Sequence, residues 1–444
     1  MRDDLLGHAA VVAARNAGRA ERERRLCGET VQALVDAGFA RHFVPRRWGG
    51  EEGGFGELVA RSAVLAERGC PCAAWCGALL AAHGRIASFL PERGRAQVWA
   101  HGPDARIAAA LAPPAGTALP VAGGLVLSGR WTCASGVDFA DWVLLAAWEG
   151  RGAERRARVL AVPAGDLGVL DTWDSPGMRG TGSNSVLAES VHVPYHRTFL
   201  LADLTAGRPG AGLPRCHGAP AHLAGGLMFA APALGAATRA LHLWTHRTST
   251  GTGSTGSGST GTHGTVAAGT PAAASGIAGA HGTGSTAAAA HGTAGTAGAH
   301  GTGTAGTAGA PAAGTGIAGT PAVGVGTAVA GRGVAAGTAD TLTRSSGEVE
   351  AARLLLTEAA RRADTEPVTE RLVARNRRDA VLAVTLLATA VRRLADTTGP
   401  HEDEQDTTLL RLCRDVTTVA SHGALRMEPA AEAYAAAVLR PAAP

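Results

Sequence analysis

The sequence contains no lysine, so every one of its 41 basic side chains is an arginine. Against 37 acidic residues these leave a formal net charge of +4. The excess is spread along the chain with no basic tail or block, which excludes the electrostatic footprint of a nucleic-acid binder. An arginine-only, alanine- and glycine-rich composition reflects coding bias rather than function. Aromatic residues are also scarce, 4% against 45% hydrophobic, so the core is expected to be built from Ala, Leu and Val. Residues 1–25 are charged and lack the apolar run of a secretory signal. The most apolar stretch, residues 223–237, is interrupted by Pro232 and falls short of the roughly 20 residues that span a bilayer. Seven cysteines, Cys27, Cys70, Cys72, Cys76, Cys133, Cys216 and Cys413, form no paired framework. A reduced, cytoplasmic protein with no membrane partner is expected.

What is abundant is concentrated in one place. Residues 251–330 carry no charge and no aromatic ring and hold 23 of the 62 glycines. Such a composition buries too little apolar area to offset its ordering entropy, so a flexible insertion is expected there. It also generates two literal GxGxxG matches, at Gly251 and Gly301. Neither follows a strand, opens a helix or has an acidic residue about 20 positions on, so a dinucleotide site is not implied. The histidines of this stretch, His263, His281, His291 and His300, have no Cys or carboxylate beside them, and no metal is expected.

Outside the insertion the pattern has three parts. Residues 1–107 read as helices: 3–25, 29–37 stopped by Gly38, 56–68, 73–89 and 91–100. Residues 108–205 switch to short β-rich runs bounded by Gly, Pro and Asp, as in an antiparallel β domain. Residues 206–440 return to helices, at 223–245, 347–363, 369–396 and 406–439, interrupted by a low-complexity segment at 249–341. The fold class is therefore α+β, mostly helical: an N-terminal helical domain, a middle antiparallel β-barrel or sandwich, and a C-terminal four-helix bundle with a long insertion.

Several segments offer chemistry. Thr132 and Ser135 are short hydroxyls beside glycine; at a spacing of three they cannot share one strand face unless a bulge or turn at Ser135–Gly136 re-aims one of them. Residues 177–183, GMRGTGS, hold backbone N–H groups, two hydroxyls and one guanidinium, which can cradle an anionic or carbonyl-rich group, or can simply be a turn. His83 and His422 titrate in the range that proton transfer at neutral pH requires, although isolated histidines are more often structural. His242 and His246, four apart on a helix, lack a third ligand, and the CPCAAWC run of residues 70–76 lacks metal-site spacing and reads as packing against Trp75.

These segments, in this order, resemble the acyl-CoA dehydrogenase superfamily, and within it the branch of two-component monooxygenases that use free reduced flavin. VPRRWGG (residues 44–50), the Trp- and His-bearing residues 72–92, LSGRWTCASGVDFADWVLL (127–145), SPGMRGTGSNSVLAESVHVPYHRT (175–198) and residues 374–394 and 411–422 carry the resemblance. It implies His83, His422 and Ser135 as catalytic residues. Trp131, Thr132, Ser135, Arg179, Thr181, Gly182, Ser183 and Arg247 are implied at the flavin, Arg247 as the arginine that holds a flavin phosphate, often across a subunit boundary. One departure stands out: Thr417 occupies a position where the branch usually has histidine.

The function so implied is that of a flavin-dependent hydroxylase. It takes FMNH2 or FADH2 from a separate reductase, uses O2 as co-substrate, binds a small aromatic or secondary-metabolite substrate, and assembles as a homotetramer without a metal. Three other outcomes stay open at this stage: an amine or amino-sugar N-oxygenase, a scaffold without chemistry, and an acyl-CoA dehydrogenase. The dehydrogenase needs a carboxylate base beside the substrate, and the family's YEGT-like segment is absent, with Glu428 and Glu432 in an unremarkable context.

Overall fold

In the computed structural model, residues 2–150, 152–208, 213–250, 335–398 and 404–439 are described. The insertion, with its expected flexibility, its GxGxxG matches and its four histidines, lies outside them.

Five helices open the chain: α1 (Arg2–Glu23), α2 (Gly28–Asp36), α3 (Phe55–Glu67), α4 (Pro71–Ala87) and α5 (Glu92–Val98). Gly38 follows α2 with φ +81, the left-handed conformation that ends helices. Pro71 sits in the first turn of α4, where its missing N–H costs nothing. Sixteen of the 17 residues of α4 are buried, so this helix is apolar all round and runs through the interior.

Eight strands follow: β1 (Ile107–Ala110), β2 (Thr117–Val121), β3 (Gly124–Ala134), β4 (Trp142–Glu149), β5 (Arg156–Pro163), β6 (Gly168–Leu170), β7 (Asn184–Pro194) and β8 (Thr198–Leu200). Their order is β6-β7-β3-β2-β4-β5-β8, with β1 paired to β4. The antiparallel expectation needs correction at β4, which pairs in parallel with both β1 and β2. The short strands β1, β2, β6 and β8 have too few residues for alternation to announce them in the sequence.

The sheet is irregular where it matters most. Between the pairs Trp131↔Val186 and Ala134↔Asn184, three steps along β3 match two along β7. The extra residue is a bulge at Cys133, whose φ is +60. Thr132 and Cys133 both point out of the sheet core while Trp131 and Ala134 point into it. The bulge expected at Ser135–Gly136 thus lies two residues earlier, and it keeps Thr132 and Ser135 on the same side.

The chain returns to helices with α6 (Leu201–Ala206), α7 (Arg215–Gly218), α8 (Ala221–Thr250), α9 (Ala336–Thr365), α10 (Glu370–Asp396), α11 (Glu404–Ala420) and α12 (Met427–Leu439). Helices α8 and α9 reach further into the 249–341 segment than expected. The single helix expected over 406–439 is two, broken at 421–426, where Gly423 and a short 3-10 turn intervene and Pro429 starts afresh. Helix α8 continues through Pro232 for 30 residues and is long and apolar enough to cross a membrane, but 72% of its most apolar window is buried within the protein.

One core, rich in Ala, Leu and Val, runs from α1 through α4 into α8–α11, so the N-terminal helices and the bundle share it. Close approach replaces bulk where side chains are small. A Cβ on Gly235 of α8 would stand 2.0 Å from the carbonyl oxygen of Ala63 on α3. Inside the bundle Arg362 is 2% exposed; it pairs with Asp379 and donates to Asn376 Oδ1 at 3.1 Å. Asn376 in turn donates to the carbonyls of Leu223 and Ala359, tying α8, α9 and α10 together.

Candidate active site

The end of β3, the 176–183 loop, α4, α8 and the turn after α11 meet in one place. Trp75 of α4 donates from Nε1 to Ser135 Oγ at 3.2 Å. Ser135 Oγ lies 2.8 Å from Ser183 Oγ, which lies 2.7 Å from Thr181 Oγ1, and Thr181 Oγ1 donates to the Met178 carbonyl at 2.9 Å. The direction of this chain is fixed by its two ends. The indole can only donate and the carbonyl can only accept, so Ser183 donates to Thr181 and Ser135 donates to Ser183. Every hydroxyl proton is committed inward. What remains on Ser135, a half-buried residue, is a free lone pair.

Glycines make this crowding possible. Gly182 has φ +53, and a Cβ there would meet Asp138 Oδ2 at 2.6 Å; at Gly136, φ +72, it would meet the Phe139 ring at 2.7 Å. Both positions need the left-handed region and the missing side chain.

On the other side of Trp75 stands an aromatic wall. The rings of Trp75 and Phe229 lie 5.1 Å apart, those of Phe229 and His422 4.2 Å, and those of Trp75 and His422 5.3 Å. His422 precedes the 3-10 turn, and its Nδ1 accepts the Ala424 N–H at 3.3 Å. The ring proton therefore sits on Nε2. Burial lowers the pKa of His422 to about 4, so at neutral pH it is an uncharged donor.

His83 lies eight residues after Trp75 on α4, about 12 Å along the axis, and no ring contact joins it to the wall among the described residues. It is 6% exposed, and its Nδ1 donates to the Ile107 carbonyl at 2.7 Å. That fixes the opposite tautomer, with Nε2 left as an acceptor. Burial lowers its pKa to about 4 as well. Two neutral histidines of opposite polarity result.

Other expected residues are placed differently. Trp131 is 2% exposed in the core of the sheet, its N–H taken by the Ala146 carbonyl at 2.8 Å, so it backs the strand and presents no polar atom outward. Thr132 is exposed on the Ser135 side. The Arg179 guanidinium is engaged by Glu21 O, Asp174 and Ser175 O. Arg247, half-exposed in the last turn of α8, is 18 residues from Phe229, about 27 Å along the helix. Thr417 is exposed and bonds the Cys413 carbonyl. His242 and His246 are exposed.

The sequence reading missed Phe229, an aromatic in an otherwise Ala-Leu helix with no motif around it, and Asp415, although it stands in the quoted 411–422 segment. Asp415 is 1% exposed and accepts the Met178 N–H at 2.5 Å; burial pushes its carboxyl up to about 7. It missed also the cluster of His42, Glu51 and Glu57, whose ligand atoms lie within 4.8 Å of one another. Arg61 Nη1 lies 3.4 Å from His42 Nδ1 there, which puts a fixed cation against one of the three groups.

Residues 334–427 match the family "Acyl-CoA dehydrogenase, C-terminal domain". The chain is 35% identical over 213 residues to the oxygenase component of the FADH2-dependent resorcinol hydroxylase of Rhizobium sp., covering 47% of this chain and 52% of that protein. It is 33% identical over 194 residues to the flavin-dependent monooxygenase oxygenase subunit HsaA of Mycobacterium tuberculosis, covering 41% and 47%. The chain thus spans about half the length of the relatives it matches. Among solved structures, XiaF from Streptomyces sp. in complex with FADH2 and glycerol superposes with a TM-score of 0.74 at 24% identity, covering 100% of this chain and 97% of that one. The fold is the acyl-CoA dehydrogenase-like fold of these monooxygenases, and the homologues of this chain are flavin-dependent oxygenase components.

Proposed function

We propose that this chain is the oxygenase component of a two-component flavin-dependent monooxygenase, which takes reduced flavin from a separate reductase and uses O2 to hydroxylate a small aromatic molecule. The observation that carries the reading is the polarity of the hydroxyl chain. With every proton drawn inward to the Met178 carbonyl, Ser135 meets a ligand with a lone pair and so favours an N–H on the ligand's edge. A reduced flavin ring carries such an N–H at its reactive edge, where the oxidised ring has only an acceptor. The residues present therefore fit the cofactor in the oxidation state that such an enzyme uses. When bound, the reduced flavin supplies the two electrons that let O2 deliver one oxygen atom to the substrate and the other to water.

The chain's own residues divide the remaining work. Ser135, with Thr132 on the same side and the backbone of Thr181, Gly182 and Ser183 behind it, holds the ring edge. Trp75 and Phe229, their rings tilted at 39°, give an apolar wall that orients an aromatic substrate and excludes water. His422 Nε2–H donates to a substrate oxygen, while His83, buried on the Ile107 carbonyl, keeps an acceptor on Nε2. Held neutral, neither histidine needs to lose a proton before acting near pH 7. Trp131 supports the strand, and Arg179 holds the loop.

Arg247 stands far from its own chain's hydroxyls, which supports service to a flavin phosphate across a subunit boundary in a homotetramer. Seven free cysteines support the cytoplasm as its compartment. Glu428 and Glu432 are exposed, which removes support for an acyl-CoA dehydrogenase base.

The test is anaerobic titration of the protein with reduced FMN and reduced FAD, then mixing with oxygenated buffer and a panel of phenols. Tight binding of the reduced form, slowed return of the oxidised flavin spectrum and one 18O atom in a hydroxylated product are expected. Bleaching of tightly held oxidised FAD by an acyl-CoA without O2, or no affinity for reduced flavin, would overturn the reading.

A further inference from the structure

The turn 176–178 is fastened to α11 by two of its main-chain polar groups. Arg414 Nε donates to the Pro176 carbonyl at 3.0 Å, and the next residue, Asp415, accepts the Met178 N–H at 2.5 Å. Between these bonds Gly177 lies flat on the helix: a Cβ there would stand 2.3 Å from Arg414 O and 2.6 Å from Thr418 Oγ1. Only glycine allows that seat. Met178 adopts φ 53, ψ 30, a left-handed conformation that is unfavourable for a side-chain-bearing residue and so needs to be held. The same residue that gives its N–H to Asp415 gives its carbonyl to Thr181, the end of the hydroxyl chain.

We infer that Asp415, with Arg414 beside it, is a positioning residue that fixes the Met178 carbonyl and thereby sets the direction of the hydroxyl chain and the lone pair that Ser135 presents. Asp415 acts through Met178 and the loop. A carboxyl group 1% exposed is an expensive way to accept one N–H; its position at the origin of the chain gives that cost a use. The inference rests on the reading of Ser135 as the flavin-facing residue.

Three full-length variants test it: Asp415→Asn, Asp415→Leu and Arg414→Gln. Amide hydrogen exchange over residues 177–183 reads the clamp, and affinity for reduced FMN reads its consequence. Asp415→Asn keeps an acceptor oxygen and is expected to stay within about twofold of wild type on both. Asp415→Leu is expected to speed exchange and weaken reduced FMN by roughly tenfold or more, the cost of leaving one buried N–H without its acceptor. Arg414→Gln alters a half-exposed side chain and is expected to move both by about threefold. Unchanged exchange in Asp415→Leu, or faster exchange with unchanged affinity for reduced FMN, overturns the inference. If Asp415→Leu does not fold, wild-type values of both quantities in Arg414→Gln overturn it. If wild type itself binds no reduced flavin, the proposed function falls and exchange alone judges the clamp.

Discussion

Ser135 Oγ and Ser183 Oγ lie 2.8 Å apart, joining the end of one strand to the start of its neighbour through side chains rather than backbone. Because the chain they belong to ends on a carbonyl, removing either hydroxyl interrupts a one-way relay. Ser135→Ala is expected to lower the rate of substrate oxygenation by roughly tenfold, about one hydrogen bond's worth of barrier, and to raise H2O2 release. Product yield per reduced flavin consumed measures it; an unchanged yield would show that the hydroxyl is ornamental.

Buried histidines and a buried acid pull stability in opposite directions. His83 and His422, lowered by burial to about 4, charge more readily in the unfolded chain. Their contribution is present above about pH 6.5 and is lost as pH falls toward 4. Asp415, raised by burial to about 7, does the reverse: its contribution is present at low pH and is lost as pH rises through 7. Wild type is expected to show a shallow pH dependence of stability between 4 and 7. Asp415→Asn is expected to rise more steeply with pH in that window, as followed by urea unfolding, and the His83 ring signals should show no titration between pH 6 and 8 by NMR.

Much of this was written in the sequence and part of it was not. Gly38 and the GMRGTGS loop declared themselves because each is a local backbone requirement that few residue types satisfy. The wall of Trp75, Phe229 and His422 did not, since three segments separated by some 150 and 190 positions meet only through the packing of α4, α8 and α11. The tautomers of His83 and His422 were equally illegible: each is set by a single backbone group, the Ile107 carbonyl or the Ala424 N–H, that no motif encodes. Trp131 misled for a related reason, because an aromatic in a strand reads the same whether it faces a ligand or a core.

The contact between α3 and α8 offers a stability test away from the site. Gly235→Ala would place a methyl group 2.0 Å from Ala63 O, against backbone that cannot rotate aside. A loss of about 1–3 kcal/mol is expected, visible as a lower urea midpoint, with the affinity for reduced flavin unchanged at saturating stability.

Arg362→Leu is expected to cost more, about 3–5 kcal/mol, because it leaves Asp379 buried with a weaker set of partners. Replacing both residues by leucine should recover part of that loss. A loss in the double variant equal to the sum of the Arg362→Leu and Asp379→Leu losses would mean that the pair is not energetically coupled.

Cys133 gives β3 a frame shift of one. Under unbroken alternation Cys133 would point into the sheet, Ala134 out and Ser135 in, and the hydroxyl would be lost to the hydrophobic interior. With the additional residue accommodated, Ala134 returns to the interior and Ser135 keeps the outer side. A chain lacking position 133 could pair Trp131 with Val186 and Ala134 with Asn184 by plain alternation, the same partners as now. The strand can therefore change length by one here without moving Ser135, so parity, and not the identity of the residue at 133, is what this position conserves for the site.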